Sequence, residues 1–127
     1  MIVVGIGCRR GSSADDVDQA VRAVVVESGL TLEKVDALAT AAFKKQEFGI
    51  SAAAGKLALP LRYVSQGRLL AAQSACVSTS AEALEAVGVA SVSEAAALSA
   101  AGQGAYLVAP KSSRHGVSCA IAQGGVR

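Results

Sequence analysis

The chain opens MIVVGIGCRRGSSADD (Met1–Asp16). Met1 to Ile6 is a continuous apolar run broken only by glycine, the pattern of a strand buried on both faces. The stretch GIGCRRGSS (Gly5–Ser13) then places three glycines, a cysteine, two arginines and two serines directly behind it. Ser12 or Ser13 can cap a helix, with Asp15 and Asp16 in its first turn favoured by the N-terminal dipole. Val17, Val21, Val24, Val25 and Ser28 follow at helical spacing, and Gly29 ends the segment. A buried strand, a glycine loop and an amphipathic helix in that order are the first half of an α/β unit.

The rest of the chain continues the alternation. Asp36 to Phe43 reads as a second strand. Phe48 to Leu59 has helical spacing and stops at Pro60. Leu61 to Val64 is a short strand, and Gln66 to Gln73 a helical turn. Capping-box spacing marks two further helix starts, Thr79 to Glu82 and Ser91 to Glu94, with Gly88 and Gly102 closing the segments beyond. Tyr106 to Ala109 and Val117 to Ala122 read as a final strand pair near enough for a hairpin. Between them a loop carries Pro110, Lys111, Arg114, His115 and Gly116. The expected architecture is a three-layer α/β/α domain over residues 1–127, with a mixed, mainly parallel sheet of about five strands.

Composition narrows the function classes. A chain of 127 residues buries roughly two-thirds of its unfolded surface without metal or disulfide support. Alanine and valine dominate that core, and the aromatics are Phe43, Phe48, Tyr63 and Tyr106. A net charge of +2 with no run of more than two basic residues argues against a nucleic-acid partner. Cys8, Cys76 and Cys119 are odd in number and widely spaced, which argues against a disulfide framework and against a Cys-x-x-Cys zinc site. No apolar run approaches the ~20 residues that cross a membrane. No signal segment precedes the first strand, so a cytoplasmic protein is expected.

Three chemistries compete for the opening loop. As a dinucleotide fingerprint it places its third glycine, Gly11, one residue late, and the second strand runs into Lys44 and Lys45 instead of ending on an acid. No Gly-Lys-Ser/Thr follows for a phosphate loop, and no cofactor or metal is expected. As a reactive thiol, Cys8 sits near a helix N-terminus and two arginines, which can lower its pKa. Position 14, where a phosphatase-like loop carries arginine, holds alanine. An anion pocket survives best. The strand-to-helix junction offers free backbone N–H groups and the positive end of a helix dipole, its glycines allow close approach, and Arg9 or Arg10 can clamp a carboxylate or phosphate bidentately. Lys44, Lys45 and Glu47 follow the second strand, where parallel sheets gather their ligand loops, and Lys111, Arg114 and His115 are expected at the same edge. Ordinary alternatives stand beside each: a solvated arginine pair, an exposed lysine turn, a small packed cysteine, and Glu94 as a capping-box acid.

GIGCRRG (Gly5–Gly11), FKKQEFG (Phe43–Gly49), VGVASVSEAAAL (Val87–Leu98), VAPK (Val108–Lys111) and GVSCAIA (Gly116–Ala122) occur in this order. Together they resemble the CobE / CbiG C-terminal family of cobalamin (vitamin B12) biosynthesis proteins, over nearly the whole chain. The resemblance implies work on the corrin-forming tetrapyrrole pathway. Longer family members are cobalt-precorrin-5A hydrolases, which open a lactone and expel a two-carbon fragment; short members belong to the oxygen-dependent pathway. The chain opens on the first motif, so a short stand-alone member without the hydrolases' extra N-terminal region is expected. Ser118 stands where the family resemblance leads one to expect threonine.

The expected ligand is a precorrin-type tetrapyrrole, whose acetate and propionate groups would pair with Arg9, Arg10, Lys44, Lys45 and Lys111 around Gly7, Cys8, Gly11 and Ser12. Should chemistry occur, Glu47 or Glu94 would transfer protons beside those cations. Two function classes follow: a carrier that passes the intermediate to other corrin-pathway enzymes, and a hydrolase of the lactone. A helper that stabilises another pathway enzyme predicts no pigment affinity.

Overall fold

A computed structural model describes residues 1–45, 47–79, 84 and 91–125. Its strands are β1 (Ile2–Cys8), β2 (Ala37–Ala41), β3 (Leu61–Val64), β4 (Tyr106–Arg114) and β5 (Val117–Gln123); its helices are α1 (Ala14–Glu27), α2 (Phe48–Leu57), α3 (Gln66–Ala71) and α4 (Val92–Ala101). The helix start expected from Thr79 to Glu82 continues into residues 80–83, and these and the Gly88 closing the segment lie outside those described.

The described strands form one sheet in the order β3-β2-β1-β5-β4. β1 pairs parallel with β2, and β2 with β3; β5 runs antiparallel to both β1 and β4. Four strands therefore point one way, and β5 alone reverses. From β1 the chain builds outward through β2 and β3, then crosses to the other side of β1 for β4 and β5. That reversal places a topological switch at the carboxyl end of β1, where α/β sheets bind ligands.

The opening residues behave as their chemistry requires. Ser13, not Ser12, caps α1, its Oγ accepting from the Asp16 amide at 3.0 Å. Ser12 instead donates its hydroxyl to the Arg9 carbonyl at 2.9 Å, tightening the loop. Val17, Val21, Val24 and Val25 are buried on one stripe of α1. Each fully buried valine contributes on the order of 1.5–3 kcal/mol.

Side-chain alternation along the strands divides the core in two. Val4, Ile6, Leu38, Cys119 and Ile121 pack under α1 and α2. Val3, Ala37, Ala39, Ala41 and Ala122 pack on the opposite face under Leu69 of α3 and the alanines of α4. On that second face a Cβ at Gly5 would lie 1.9 Å from the Ser93 carbonyl oxygen. Only glycine lets the α4 backbone come so near.

Two expectations are corrected. The second strand is shorter than Asp36 to Phe43, because Ala42–Lys44 turns into a 3-10 helix once the strand leaves the sheet. The expected loop from Pro110 to Gly116 is mostly strand. β4 continues to Arg114, and the turn is His115-Gly116 alone, with φ of 55° and 78°. Positive φ at both central residues is the tight hairpin turn that matches strand twist. Proline is tolerated in this strand because β4 is an edge and its register shifts between Ala109 and Ser112.

Candidate functional site

The carboxyl end of β1 opens into a cavity of about 650 Å³, within the range of small-molecule sites. Gly7 forms part of its floor, since a Cβ there would meet Val92 and Ser93 at the start of α4. Cys8, Arg9 and Arg10 rise from the end of β1. Phe43 and Lys44 come from the 3-10 turn after β2, and Ser91, Val92 and Ser93 from the N-terminus of α4. Lys111, Ser113, Arg114, His115, Gly116 and Ser118 close the side formed by the β4–β5 hairpin.

The charge pattern is one-sided. Arg9, Arg10, Lys44, Lys111 and Arg114 line the cavity, together with His115, and no described lining residue is an acid. Two of the five cations are held through their side chains. Lys44 donates from Nζ to the Cys8 carbonyl at 2.8 Å and lies 5.5 Å from the Phe43 ring centroid, so its ammonium is fixed across the cavity mouth. Arg114 pairs with Glu27 at 2.9 Å, with both side chains about half exposed. The Arg9 main chain is anchored by its amide donating to the Gly116 carbonyl at 3.1 Å.

The start of α2 holds the opening loop in place. The Gly11 amide donates to Glu47 Oε1 at 2.9 Å, so Glu47 occupies one of the loop's own anion-binding donors. Glu47 stands at the N-cap of α2, yet its carboxylate leaves the helix to reach Gly11. Gly49 makes the approach possible, since a Cβ there would lie 2.1 Å from the Ser12 carbonyl oxygen.

The expected site residues therefore separate. Gly7, Cys8, Arg9, Arg10, Lys44 and Lys111 come together around one cavity. Gly11 and Ser12 form the loop behind it. Lys45 and Glu47 border a neighbouring depression that shares Arg10 and Phe43, and Lys45 lies 5.6 Å from the Tyr63 ring centroid. Glu94 is fully buried and lies outside the lining. Its Oε1 accepts from the Val77 and Ser78 amides at 2.8 and 2.9 Å, and its Oε2 from the Lys111 amide at 2.8 Å. Burial works to raise its pKa, but these hydrogen bonds, together with one from the Ser78 side chain, outweigh it and hold the carboxyl below its ordinary value.

Ser91 does cap α4, accepting from the Glu94 amide at 3.4 Å. The reciprocal half of the capping box is replaced by the reach of Glu94 to the other three amides. The thiols are not activated. Burial, with a smaller push from the Glu47 charge, raises Cys8 against the lowering effects of Lys44 and Ser12. Burial also raises Cys76 to about 11, aided by the Glu94 charge, and Cys119 to about 12.

Phe43 and the Ser91–Ser93 wall were not among the expected site residues. The capping signal at Ser91 located the helix start, but only the packing of α4 on β1 brings that start to the cavity.

The family described as Cobalamin synthesis G C-terminus matches residues 2–122. The chain belongs to this family. Among solved structures of similar proteins is CobE, a protein from the cobalamin (vitamin B12) biosynthetic pathway, at 35% identity and a TM-score of 0.93, covering 100% of this chain and 92% of that one. The cobalamin biosynthesis protein chiG from Agrobacterium tumefaciens str. C58 is 45% identical with a TM-score of 0.80, over 99% of this chain and 100% of its own. Cobalt-precorrin-5A hydrolase of Priestia megaterium is 30% identical over 69 residues, a match spanning 54% of this chain and 18% of the hydrolase. The family match spans the described sheet up to residue 122, the last but one of β5. Among the described residues no helix is long and apolar enough to cross a membrane.

Proposed function

We propose that this domain binds a precorrin-type tetrapyrrole at the carboxyl end of β1 and aids its processing or its transfer to other corrin-pathway enzymes. The observation that carries this reading is the cavity lined by five cations and no described acid. Pathway tetrapyrroles are polycarboxylates on a large ring. Arg9, Arg10 and Lys111 have no side-chain hydrogen bond or ion pair within the described residues, so they meet incoming carboxylates without first breaking a contact. Phe43 and Val92 supply apolar surface for the ring itself. Membership of a cobalamin synthesis family supports a tetrapyrrole as the ligand class that the charges alone leave open.

A second reading, lactone hydrolysis, is favoured by the similarity to cobalt-precorrin-5A hydrolase. Its need for a proton-transfer group turns attention to Glu47, because the Glu94 carboxylate is enclosed by its three amides.

Spectral titration with purified precorrin intermediates, followed by mass analysis, separates the two. A shifted spectrum with unchanged ligand is expected for binding and transfer; an opened lactone would establish hydrolysis. The Arg9→Ala/Arg10→Ala double variant should weaken binding by about tenfold or more, one lost charge-assisted contact being worth roughly 1.5–3 kcal/mol. Unchanged affinity in that variant would remove the anion pocket from the reading.

A further inference from the structure

Among the described residues Glu94 is the one acid buried completely. An unneutralised carboxylate inside a protein is costly, and it persists where hydrogen bonds hold it. Its donors come from two separate segments. Val77 and Ser78 belong to the stretch after α3, while Lys111 belongs to β4.

The Lys111 amide is available for a reason. Ala109 pairs with Ile121 and Ser112 with Cys119, so Pro110 and Lys111 share the place opposite a single β5 residue, Ala120. This is a β-bulge, which leaves one residue out of the ladder and re-aims its side chain. Glu94 Oε2 takes the amide that the bulge frees. The next residues on the Glu94 side, Ser91 to Ser93, form the opposing cavity wall.

We propose that Glu94 is the positioning residue of the cavity: by gripping the Lys111 amide it sets the bulge from which the Lys111 ammonium meets a ligand carboxylate. This assignment rests on the pigment-binding reading. It gives Glu94 no contact with ligand and no proton to transfer; its effect passes through Lys111.

The test is a double-mutant cycle read by calorimetric titration with cobyrinic acid, a stable corrin carrying carboxylate side chains. Lys111→Ala should weaken binding about tenfold, the size of one charge-assisted contact. Glu94→Gln keeps the side-chain shape but sets an amide nitrogen against one of the backbone donors. It should weaken binding to a similar extent, and Glu94→Gln/Lys111→Ala should bind no more weakly than Lys111→Ala alone. A merely structural Glu94 would lower the melting temperature and leave affinity intact. That result, full additivity in the double variant, or wild-type affinity in Lys111→Ala would overturn the assignment while leaving pigment binding standing. No binding by the wild-type protein would overturn both. Should Glu94→Gln fail to fold, Pro110→Gly supplies the second arm. With Glu94 in place the affinity should stay within about twofold of wild type. A loss matching Lys111→Ala would assign the placement to the proline and overturn the role of Glu94.

Discussion

On one face of the sheet Val4, Ile6, Leu38, Cys119 and Ile121 meet the valines of α1. On the other, Gly5 and the alanines at 37, 39, 41 and 122 meet the alanines of α4. Both layers are buried, yet they are built from side chains of different size. The large face fills its volume with branched residues, and the small face removes volume so that backbones touch. The cavity borders the small face. Bringing α4 close to β1 sets Ser91, Val92 and Ser93 beside Gly7, and the cavity forms where that contact ends. A bulkier interface would lift α4 away and separate the two walls.

The sharpest way to break this contrast is Gly5→Val. Its side chain would overlap the Ser93 carbonyl, with no flexible group to yield. Overpacking commonly costs about 1–3 kcal/mol and more where backbone must move. Little folded protein is expected in urea or thermal unfolding; a variant as stable as wild type would refute the close approach. Leu38→Ala, on the large face, should leave a folded protein destabilised by about 2–5 kcal/mol, the cost of lost burial plus a cavity. Its pigment affinity should be preserved, because the loss lies away from the α4–β1 contact. Equal damage to binding would mean that the faces are not independent.

The smallest effect is a pH dependence confined to the small face. The Glu94 pKa is lowered on folding from its ordinary 4.5. The stabilisation from its ionised form is therefore complete above that value and disappears as pH falls through the lower native one. The stability gap between wild type and Glu94→Gln should narrow below about pH 4.5. A gap independent of pH would show that ionised Glu94 contributes nothing.

Much of the fold was legible because its signals are local. The apolar run into β1, the valine stripe of α1, Pro60 after α2 and the cap at Ser91 each act within one or two turns of chain. The β4–β5 hairpin was legible as a pair, but its length was not. Pro110 and the charged residues after it look like a loop until edge position and bulge are known. Glu94 shows the same limit more strongly. Its spacing from Ser91 predicts a capping box, and the cap forms, but its carboxylate goes to amides 16, 17 and 17 residues away.

Family membership, the strand–helix order and the cationic character of the loops are properties of this sequence by itself. They follow from residue identity and short-range periodicity, which a chain carries before it folds. Which cations share one cavity was decided only by tertiary structure. Arg9, Lys44 and Lys111 lie on three segments far apart in sequence, brought to one sheet end by strand order. Lys45 was turned to a neighbouring depression, and Glu94 was enclosed behind the wall it holds. The end of the opening GIGCRRG lines a cavity because β5 and α4 close around it, and those contacts depend on packing that no local pattern records.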